Sequence, residues 1–378
     1  MTESYDVILV GLGAMGSAAA HALVGRGLRV LGLEQFDIAH DRGSSHGRSR
    51  VIRKAYFEDS RYVPLLHRAY DLWRALEQAA GVELMRLNGC LNMGPADHAC
   101  ILGARGSAEQ HGLAHEVLDA DEIHRHWPGL RPGNEDIGIY EAEGGFLIPE
   151  RAVGVQVDLA RAGGAVIHTG EAVRRWTASS GGVSVETDDR RYVGGHLVIT
   201  AGAWLAEICA ELDLPLRVER QVQTWFQPKA GHVFTAARMP AFIHFLGDRA
   251  YYGIPMREAE GMKVARHHGG QITTADAINR QVTQEDEADV RRYLARHLPD
   301  ADGPLLAAEV CMYTNTPDDH FIVDRHPQFE NVLIAGGFSG HGFKFSPVVG
   351  EVLAEMVSVH RVGEGMELFS LRRFTGRG

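Results

Sequence analysis

Tyr5-Asp-Val-Ile-Leu-Val10, Gly11-Leu-Gly13-Ala-Met-Gly16 and Leu28-Arg-Val-Leu-Gly-Leu33-Glu34 are the stretch of sequence that decides the fold. The first run is short, apolar and β-branched, which is typical of a strand buried on both faces. The glycines follow at once, a helical run that contains Leu23 comes next, and a second apolar strand ends at the glutamate. This order of strand, glycine turn, helix and strand predicts a Rossmann-like βαβ unit.

Each glycine of the turn has a physical role. Gly11 permits the sharp turn, Gly13 lets backbone N–H groups approach a pyrophosphate, and Gly16 lets the helix and strand pack closely. The helix N-terminus then presents unpaired N–H groups and the positive end of its dipole to the phosphates. Glu34 is placed to accept hydrogen bonds from a ribose 2′-OH, which argues against NADP. We therefore predict dinucleotide binding; the alternative is a glycine-rich turn that holds no ligand.

Length and composition limit the class of protein. A chain of 378 residues favours two domains, and 45% hydrophobic with 23% charged residues is typical of a soluble globular protein. A formal charge of −11 without a basic run argues against nucleic acid or an anionic membrane as a partner. The first strand begins by residue 5 and no apolar run has transmembrane length, so we expect no signal peptide and no membrane span. The four cysteines are widely spaced, which favours a reducing cytoplasm, and we predict no metal site.

A polar segment, 41–53, follows the nucleotide motif and carries four arginines and a histidine. A solvated basic loop is one interpretation of such a charge run. The interleaved Val51-Ile52 favours the other, a segment held against a site. Arg50 and Arg53 are three residues apart and would serve one site if the segment were helical there.

Further elements are expected along the chain. The pattern predicts helices over 62–80, 151–162 and 283–297, the last with Thr283 as its N-cap. It predicts a meander of strands over 165–169, 172–177 and 183–187, a buried strand over 197–204, and strands within 221–254. The mixed pattern of 81–149 indicates part of a second domain.

One predicted strand, 262–268, follows a polar turn over 257–261 and carries unusual side chains. As a strand it would place Lys263, Ala265 and His267 on one face. A lysine and a histidine are odd for a core, so either this face is a solvated edge or it contributes to a site.

The last part of the chain holds a second glycine-rich turn. The buried strand 331–335 is followed by Gly336-Gly-Phe-Ser-Gly-His-Gly-Phe-Lys-Phe-Ser-Pro347 and a helix over 348–357. A strand, a glycine turn and a helix N-terminus together form an anion-friendly site. Cys311 lies upstream, and a lone cysteine is more often a small buried hydrophobe than a reactive thiol.

Four motifs together resemble the monomeric sarcosine oxidase family, which includes N-methyltryptophan oxidase. They are the N-terminal Gly-x-Gly-x-x-Gly, Gly43-Ser-Ser-His-Gly-x-Ser-Arg-x-Ile-Arg53, Cys311-Met-Tyr-Thr-x-Thr-Pro-Asp-x-His-Phe-Ile, and Gly337-Phe-Ser-Gly-His-Gly-Phe-Lys-Phe-Ser-Pro347. The resemblance spans the whole chain with the same order and similar spacings. It implies a discontinuous Rossmann-like FAD domain over 1–80, 150–215 and 320–378. A mainly antiparallel β-sheet substrate domain would cover 81–149 and 216–319, in an α/β fold.

The resemblance also assigns roles to individual residues. Cys311 matches the cysteine that holds FAD covalently through its 8-methyl carbon. Arg53 and Lys344 match a clamp on the substrate carboxylate, and Lys263 matches the lysine that promotes reaction with oxygen. The other residues implied at the substrate or the flavin ring are Tyr252, His267, Tyr313, His46 and Arg50. Together with the motif, the residues expected to bind FAD are Gly11, Gly13, Ala14, Met15, Gly16, Glu34, Gln35, Gly43, Ser44, Ser49, Arg50, Val173, Ala201, Gly202, Cys311, Met312, Gly340, His341, Gly342 and Lys344.

The implied activity is the oxidation of a secondary amino acid by O2, with release of hydrogen peroxide, an aldehyde and a primary amino acid. Sarcosine is the leading substrate, and N-methyltryptophan, pipecolate, proline and glycated amino acids are alternatives. The same scaffold could instead pass electrons to a quinone or a carrier protein as a dehydrogenase. A nucleotide-binding regulatory protein without turnover is the alternative of a different class. The resemblance suggests a monomer.

Overall fold

The protein is described here by a computed structural model, which covers residues 4–257, 259–359 and 365–375. Within these residues the strands are β1 Ser4–Val10, β2 Val30–Leu33, β3 Arg50–Ile52, β4 Met85–Leu87, β5 Cys90–Pro95, β6 Glu116–Asp119, β7 Asp136–Glu141, β8 Gly145–Leu147, β9 Val166–His168, β10 Arg175–Ser179, β11 Gly182–Glu186, β12 Arg191–Ile199, β13 Arg217–Phe226, β14 Ala241–Leu246, β15 Arg249–Ile254, β16 Met262–His267, β17 Ile272–Thr273, β18 Leu305–Asn315, β19 Ile322–Arg325 and β20 Val332–Gly336. The helices are α1 Ala14–Val24, α2 Val63–Ala80, α3 Ala99–Gln110, α4 Ala120–His126, α5 Pro149–Ala162, α6 Leu205–Ile208, α7 Gln284–His297, α8 Ser346–Val359 and α9 Arg372–Thr375. No helix in these ranges is long and apolar enough to cross a membrane.

The first sheet is built around β1, as the glycine motif predicts. β1 pairs in parallel with β2 on one side and with β12 on the other, and β12 pairs in parallel with β20. Helices α1, α2, α5 and α8 cover one face of this sheet, where the largest apolar cluster of the protein forms. The carboxyl ends of β1, β2, β12 and β20 therefore meet at one edge, which is where open α/β sheets bind ligands.

The second sheet is mainly antiparallel and has the order β17-β13-β16-β15-β14-β5-β7-β6, with β18 also paired to β13. Gln221 lies opposite Cys311 in β18, and Trp225 lies opposite Lys263 in β16. Side chains alternate between the faces of a sheet, so this register places distant residues on a shared face. The polar members of that face include Glu219, Gln221, Gln223, Tyr252, Lys263, His267, Glu309, Cys311 and Tyr313.

A small third sheet, β3-β8-β4, lies beside these two. It corrects one expectation, because Arg50 is in a strand and Arg53 follows that strand in irregular chain rather than in a helix. Residues 46–53 of the basic segment are nevertheless packed inward, since Arg53 is 2% exposed and His46 is 3% exposed, whereas Asp41 and Arg42 are exposed. The interpretation of a solvated loop is therefore wrong for residues 46–53.

Two further expectations are settled by the strand pairing. The predicted meander over 165–187 is wrong in its first member, because β9 pairs in parallel with β2, whereas β10, β11 and β12 pair in antiparallel order. The predicted turn after β15 joins two antiparallel strands, although Glu258 in that turn lies outside the described residues.

Thr283 caps α7 as predicted, and its hydroxyl accepts a hydrogen bond from the Asp286 backbone N–H. The domain boundaries stay a prediction.

Candidate active site

A cavity of about 500 Å³ lies between the carboxyl edge of the first sheet and the shared face of the second. It is continuous from the N-terminal glycine turn to the glycine-rich turn after β20. The predicted residues in its wall are Gly11, Gly13, Ala14, Met15, Glu34, Gln35, Gly43, Ser44, Arg50, Arg53, Val173, Ala201, Gly202, Tyr252, His267, Cys311, Met312, Tyr313, Gly340, His341, Gly342 and Lys344. The predicted residues outside the wall are Gly16, His46, Ser49 and Lys263.

The N-terminal turn is too crowded for side chains at two of its glycines. Gly11 has a φ of +87°, and a Cβ there would lie 2.7 Å from the Thr200 carbonyl oxygen. A Cβ at Gly16 would lie 1.9 Å from the Gly11 carbonyl oxygen, so this glycine permits helix packing without touching the cavity. Glu34 is buried and accepts hydrogen bonds from the backbone N–H groups of Leu12 at 2.8 Å and Phe36 at 3.1 Å. Its carboxylate thereby braces the turn from the end of β2.

Cys311 lies in the cavity wall beside three ionisable groups. Its sulfur accepts a hydrogen bond from Arg50 Nη2 at 3.6 Å, and His46 Nδ1 lies 3.5 Å from Glu309 Oε2. Burial raises the pKa of the Cys311 thiol, but His46, Arg50 and Lys263 outweigh burial and lower it to about 7. Burial in turn lowers the pKa of His46, while Cys311 and Glu309 raise it to about 9. The pair therefore favours a thiolate on Cys311 next to an imidazolium on His46. The thiolate is the reactive form of cysteine.

Lys263 is 2% exposed, so the interpretation of a solvated edge is wrong. Its ammonium donates to the carbonyl oxygens of Gly47 at 2.8 Å and Ser49 at 3.1 Å, and to Oε1 of Gln223. An ammonium has three N–H donors, and these three acceptors use all of them. Burial, together with Arg50, places the pKa of Lys263 well below its usual value. The three oxygen acceptors nevertheless favour the ammonium, because a neutral amine would direct its lone pair at one of them.

Arg53 meets a carboxylate of the protein itself. Its Nη2 donates to both oxygens of Glu58, at 2.8 and 2.7 Å, and its Nη1 donates to the Ala55 carbonyl at 2.9 Å. The guanidinium also lies over the rings of Tyr56 at 4.3 Å and Phe57 at 3.9 Å. Arg53 is thus held rigidly in the wall, with part of its donor capacity already used.

Lys344 lies near Arg53 in the turn that precedes α8. Its Nζ donates to the His341 carbonyl at 2.6 Å, and burial beside Arg53 lowers its pKa to about 7. The imidazole of His341 lies 2.9 Å from the Asp319 carbonyl through Nε2 and 2.6 Å from the Tyr56 hydroxyl through Nδ1. Because a carbonyl only accepts, Nε2 carries the proton and Nδ1 accepts from Tyr56. Burial lowers the pKa of His341 to about 4, which agrees with a neutral ring.

Tyr252, His267 and Tyr313 form an aromatic group in the same wall. His267 Nδ1 lies 3.1 Å from the Tyr313 hydroxyl, and the Tyr252 and His267 rings are 6.3 Å apart. Burial, with added repulsion from His268 and His341, places the pKa of His267 well below its usual value. The cavity therefore combines neutral aromatic groups with the cations Arg50, Arg53 and Lys344.

Motif reasoning did not identify several residues of the wall. They are Ser45, Phe57, Glu58, Glu171, Trp204, Gln221, Gln223 and Ile243. Glu58 could have been suspected, because it is an acid close in sequence to a buried arginine. The glutamines reach the site only through strand pairing, which carries no local signal. No cluster of three or more histidine, cysteine or acidic residues suited to a metal ion occurs in the described ranges.

The wall suits a long dinucleotide such as FAD. It joins a pyrophosphate-type glycine turn and Glu34 to Cys311 and a second glycine turn. Gln221 Nε2 and Gln223 Nε2 are buried in it without a hydrogen-bond partner in the protein, so each has donors available for a bound group. Buried polar atoms without partners are costly, which a bound group with acceptor atoms would relieve.

Comparison with known proteins agrees with this chemistry. A family described as FAD dependent oxidoreductase matches residues 6–356. A monomeric sarcosine oxidase of Streptomyces avermitilis is 43% identical over 99% of this chain and 98% of the relative. An N-methyl-L-tryptophan oxidase of Salmonella arizonae is 36% identical over 98% of this chain and 99% of the relative.

The fold has solved counterparts as well. The structure of NikD, described as an unusual amino acid oxidase essential for nikkomycin biosynthesis, matches 98% of each chain with a TM-score of 0.86. At 23% identity this likeness shows the fold alone. The predicted fold class and the predicted family resemblance are both confirmed. The chain belongs to the FAD-dependent oxidoreductase family, in the group of the monomeric sarcosine oxidases and N-methyl-L-tryptophan oxidases.

Proposed function

We propose that this protein oxidises secondary amino acids, with sarcosine as the leading substrate, and uses O2 as the electron acceptor. The observation that carries the proposal is that Arg53 and Lys344 both line the cavity that His267 and Tyr313 also line. Two cations suit a carboxylate, and neutral aromatic groups suit the amine and its N-methyl group. The sarcosine oxidase relatives support this choice of substrate class.

FAD, when bound, accepts the electrons that leave the substrate C–H bond, and this chain's residues prepare the amine for that step. Arg53 and Lys344 hold the carboxylate and so fix which bond faces the cofactor. The same cations, with Arg50, disfavour a second positive charge nearby and lower the pKa of the substrate ammonium. They thereby increase the fraction of neutral amine, whose lone pair is required for oxidation.

We also propose that Cys311 holds FAD covalently. A thiolate is the nucleophilic form of cysteine, and Arg50 and His46 stabilise that form at the cavity wall. Cys90 and Cys209 provide the contrast, because burial and a nearby glutamate raise the pKa of both thiols. In the described residues Cys311 is the cysteine that lines the cavity.

A dehydrogenase that passes electrons to another carrier is the second candidate. The observation in its favour is that Lys263, the residue expected to promote the reaction with oxygen, lies behind the wall with all three donors occupied. The yield of hydrogen peroxide per amine oxidised separates the two. One peroxide per turnover supports the oxidase, whereas little peroxide and rapid reduction of an artificial acceptor support the dehydrogenase.

The test of the covalent oxidase is acid precipitation of protein purified under flavin-sufficient conditions, followed by oxygen uptake with sarcosine. We expect a yellow pellet and amine-dependent oxygen consumption. In Cys311→Ser the colour should move to the supernatant. Cys100→Ser is the matched control and should keep a yellow pellet, because that thiol lies outside the wall and burial raises its pKa to about 11. A colourless pellet from the parent protein contradicts the tether, and an absence of flavin contradicts the proposal as a whole.

The remaining assignments complete the proposal. We propose that residues 1–80, 150–215 and 320–378 form the FAD domain, and that 81–149 and 216–319 form the substrate domain. The protein would act as a monomer in the cytoplasm. The relatives described as monomeric sarcosine oxidases support the first statement, and the four free cysteines support the second.

A further inference from the structure

Gln223 links the cavity to two cations. It lies in β13, is 2% exposed, and lines the cavity. Its Oε1 accepts hydrogen bonds from Arg50 Nη1 at 3.1 Å and from Lys263 Nζ. Neither cation can accept a hydrogen bond, so the oxygen of the amide must face them and the NH2 group must face away. That Nε2 has no hydrogen-bond partner in the protein.

Gly47 supplies the space that Gln223 needs. Gly47 has a φ of +106°, and a Cβ there would lie 2.1 Å from Gln223 Oε1. The carbonyl of the same glycine accepts from Lys263, so one loop residue both admits the glutamine and anchors the lysine. The arrangement around the amide is therefore built by four segments, β13, β16, β3 and the loop before β3.

The consequence concerns how Lys263 influences the cavity. All three donors of its ammonium are used, and in the described residues Lys263 is absent from the wall. Of its three acceptors, the two carbonyls belong to the backbone, and Gln223 is the side chain that also lines the cavity. A cation that donates to the oxygen of an amide polarises the amide. The N–H groups of that amide thereby become stronger hydrogen-bond donors.

We propose, resting on the function above, that Gln223 is a positioning residue for the reaction. Its oxygen holds Lys263 and Arg50 together, and its N–H groups present their combined positive charge to an acceptor atom in the cavity. Lys263 therefore influences the group bound in the cavity indirectly, because the Gln223 side chain lies between them.

The first test measures Lys263 itself, so it does not depend on turnover. The lysines of the chain are Lys54, Lys229, Lys263 and Lys344. With so few signals, NMR of the purified flavoprotein labelled at the lysine side chains can follow each ammonium, and Lys263→Met identifies the relevant one. We expect Gln223→Leu to lower the apparent pKa of Lys263 and Gln223→Glu to raise it, each by about one unit, a tenfold change in proton affinity.

Gln156→Leu is the matched control for that titration. Gln156 is 1% exposed in α5, and its amide donates to Ser17 and Ala152, away from the two cations. It should leave the Lys263 signal unchanged. An unchanged Lys263 titration in both Gln223 variants overturns the proposal, and if Gln223→Leu does not fold, Gln223→Glu alone decides by the sign of its shift.

The second test separates this proposal from the proposed function. The parent protein is first mixed with sarcosine without oxygen, and then reoxidised with oxygen. If the parent's flavin is not reduced by amine, the proposed function fails whatever the NMR result. If it is reduced, Gln223→Leu should slow reoxidation at least fivefold more than it slows reduction. Equal slowing of both steps would show a merely structural role and overturn the proposal.

Discussion

Arg53 is a buried cation, and its Nη2 donates hydrogen bonds to both carboxylate oxygens of Glu58. Removing one member of a buried pair leaves the other charge without compensation. We expect Arg53→Met to lower the free energy of unfolding by about 3–5 kcal/mol and to abolish carboxylate binding. The double variant Arg53→Met, Glu58→Gln should recover most of the stability but none of the binding. Urea unfolding and titration with a simple carboxylate measure the two effects.

Arg61 and Asp59 form the control pair for that cycle. They lie beside the buried pair in sequence, but the Arg61 side chain is 62% exposed and the Asp59 side chain is 21% exposed. Pairs of this kind contribute little, so Arg61→Met should change stability by less than about 1 kcal/mol. If the Arg53 and Arg61 variants lost the same free energy of unfolding, the buried Arg53–Glu58 pair would contribute no more to stability than the exposed pair does.

Lys344 makes carboxylate binding depend on pH. Its pKa is lowered to about 7 by burial and by Arg53, so it is protonated below that pH and loses its charge as the pH rises through it. A bound carboxylate favours the protonated form. Affinity for a simple carboxylate should therefore fall as the pH is raised from about 6 to about 9, by roughly tenfold or ~1.4 kcal/mol.

Two variants check the source of this pH dependence. Lys344→Met should bind weakly at every pH, because the titrating charge is gone. Lys344→Arg should keep its charge over the whole range and so remove the slope. A slope that persists in both variants would assign the titration to another group.

At this scale the sequence identifies residues that belong to motifs and misses those that depend on strand register. Gly11 and Glu34 were predicted from the strand–turn–helix–strand pattern around them, and Cys311 from the resemblance of its motif to the family. Gln223 was not, because its partners Arg50 and Lys263 are brought to it by β3 and β16. Glu58 was missed because an acid near an arginine is common on surfaces.

At the scale of elements, α1 packs directly against α8. A Cβ at Gly350 would lie 2.5 Å from the backbone carbon of Ala18, so Gly350→Ala must push the helices apart. We expect a loss of about 1–3 kcal/mol in unfolding free energy and incorporation of less flavin during expression, because α1 presents its N-terminus to the cavity. Thermal unfolding and the flavin-to-protein absorbance ratio measure these effects.

Gly154→Ala is the matched control, since Gly154 also lies inside a helix, α5, but a Cβ there meets no atom within 4 Å. Alanine should stabilise this helix by about 0.5–1 kcal/mol. The helix-propensity gain is the same at both sites, so the difference between the variants measures the contact alone. The change in unfolding free energy should be negative for Gly350→Ala and positive for Gly154→Ala. Stabilisation by both substitutions would contradict the close packing of α1 and α8.

Element types followed from sequence more readily than pairings did. Periodicity indicated α2, α5 and α7, because each buries one face and exposes the other. The partner of a short strand such as β9 is set by the sheet edge left free, here that of β2, and nothing within 166–168 encodes it. The same holds for β3, which pairs with β8 across almost a hundred residues.

At the scale of the whole molecule, the cavity lies between the two large sheets, so a bound FAD should stabilise both together. A ligand that binds only the native state adds RT ln(1 + [L]/Kd), about 2.7 kcal/mol at a hundredfold excess over Kd. For the parent protein with tethered flavin, added FAD should leave the melting temperature unchanged. For Cys311→Ser, the melting temperature should rise steadily with added FAD, as scanning calorimetry would show. An equal response of both proteins to FAD would contradict the tether.

The contact between Gly350 and Ala18 has a consequence for biosynthesis. A nascent chain emerges from the ribosome at roughly 5–20 residues per second, so tens of seconds separate the two halves of this contact. β20, which completes the parallel sheet beside β12, also arrives late. During that interval the apolar side of α1 is not covered by α8. We therefore expect the unfinished polypeptide to bind chaperones that recognise exposed hydrophobic segments.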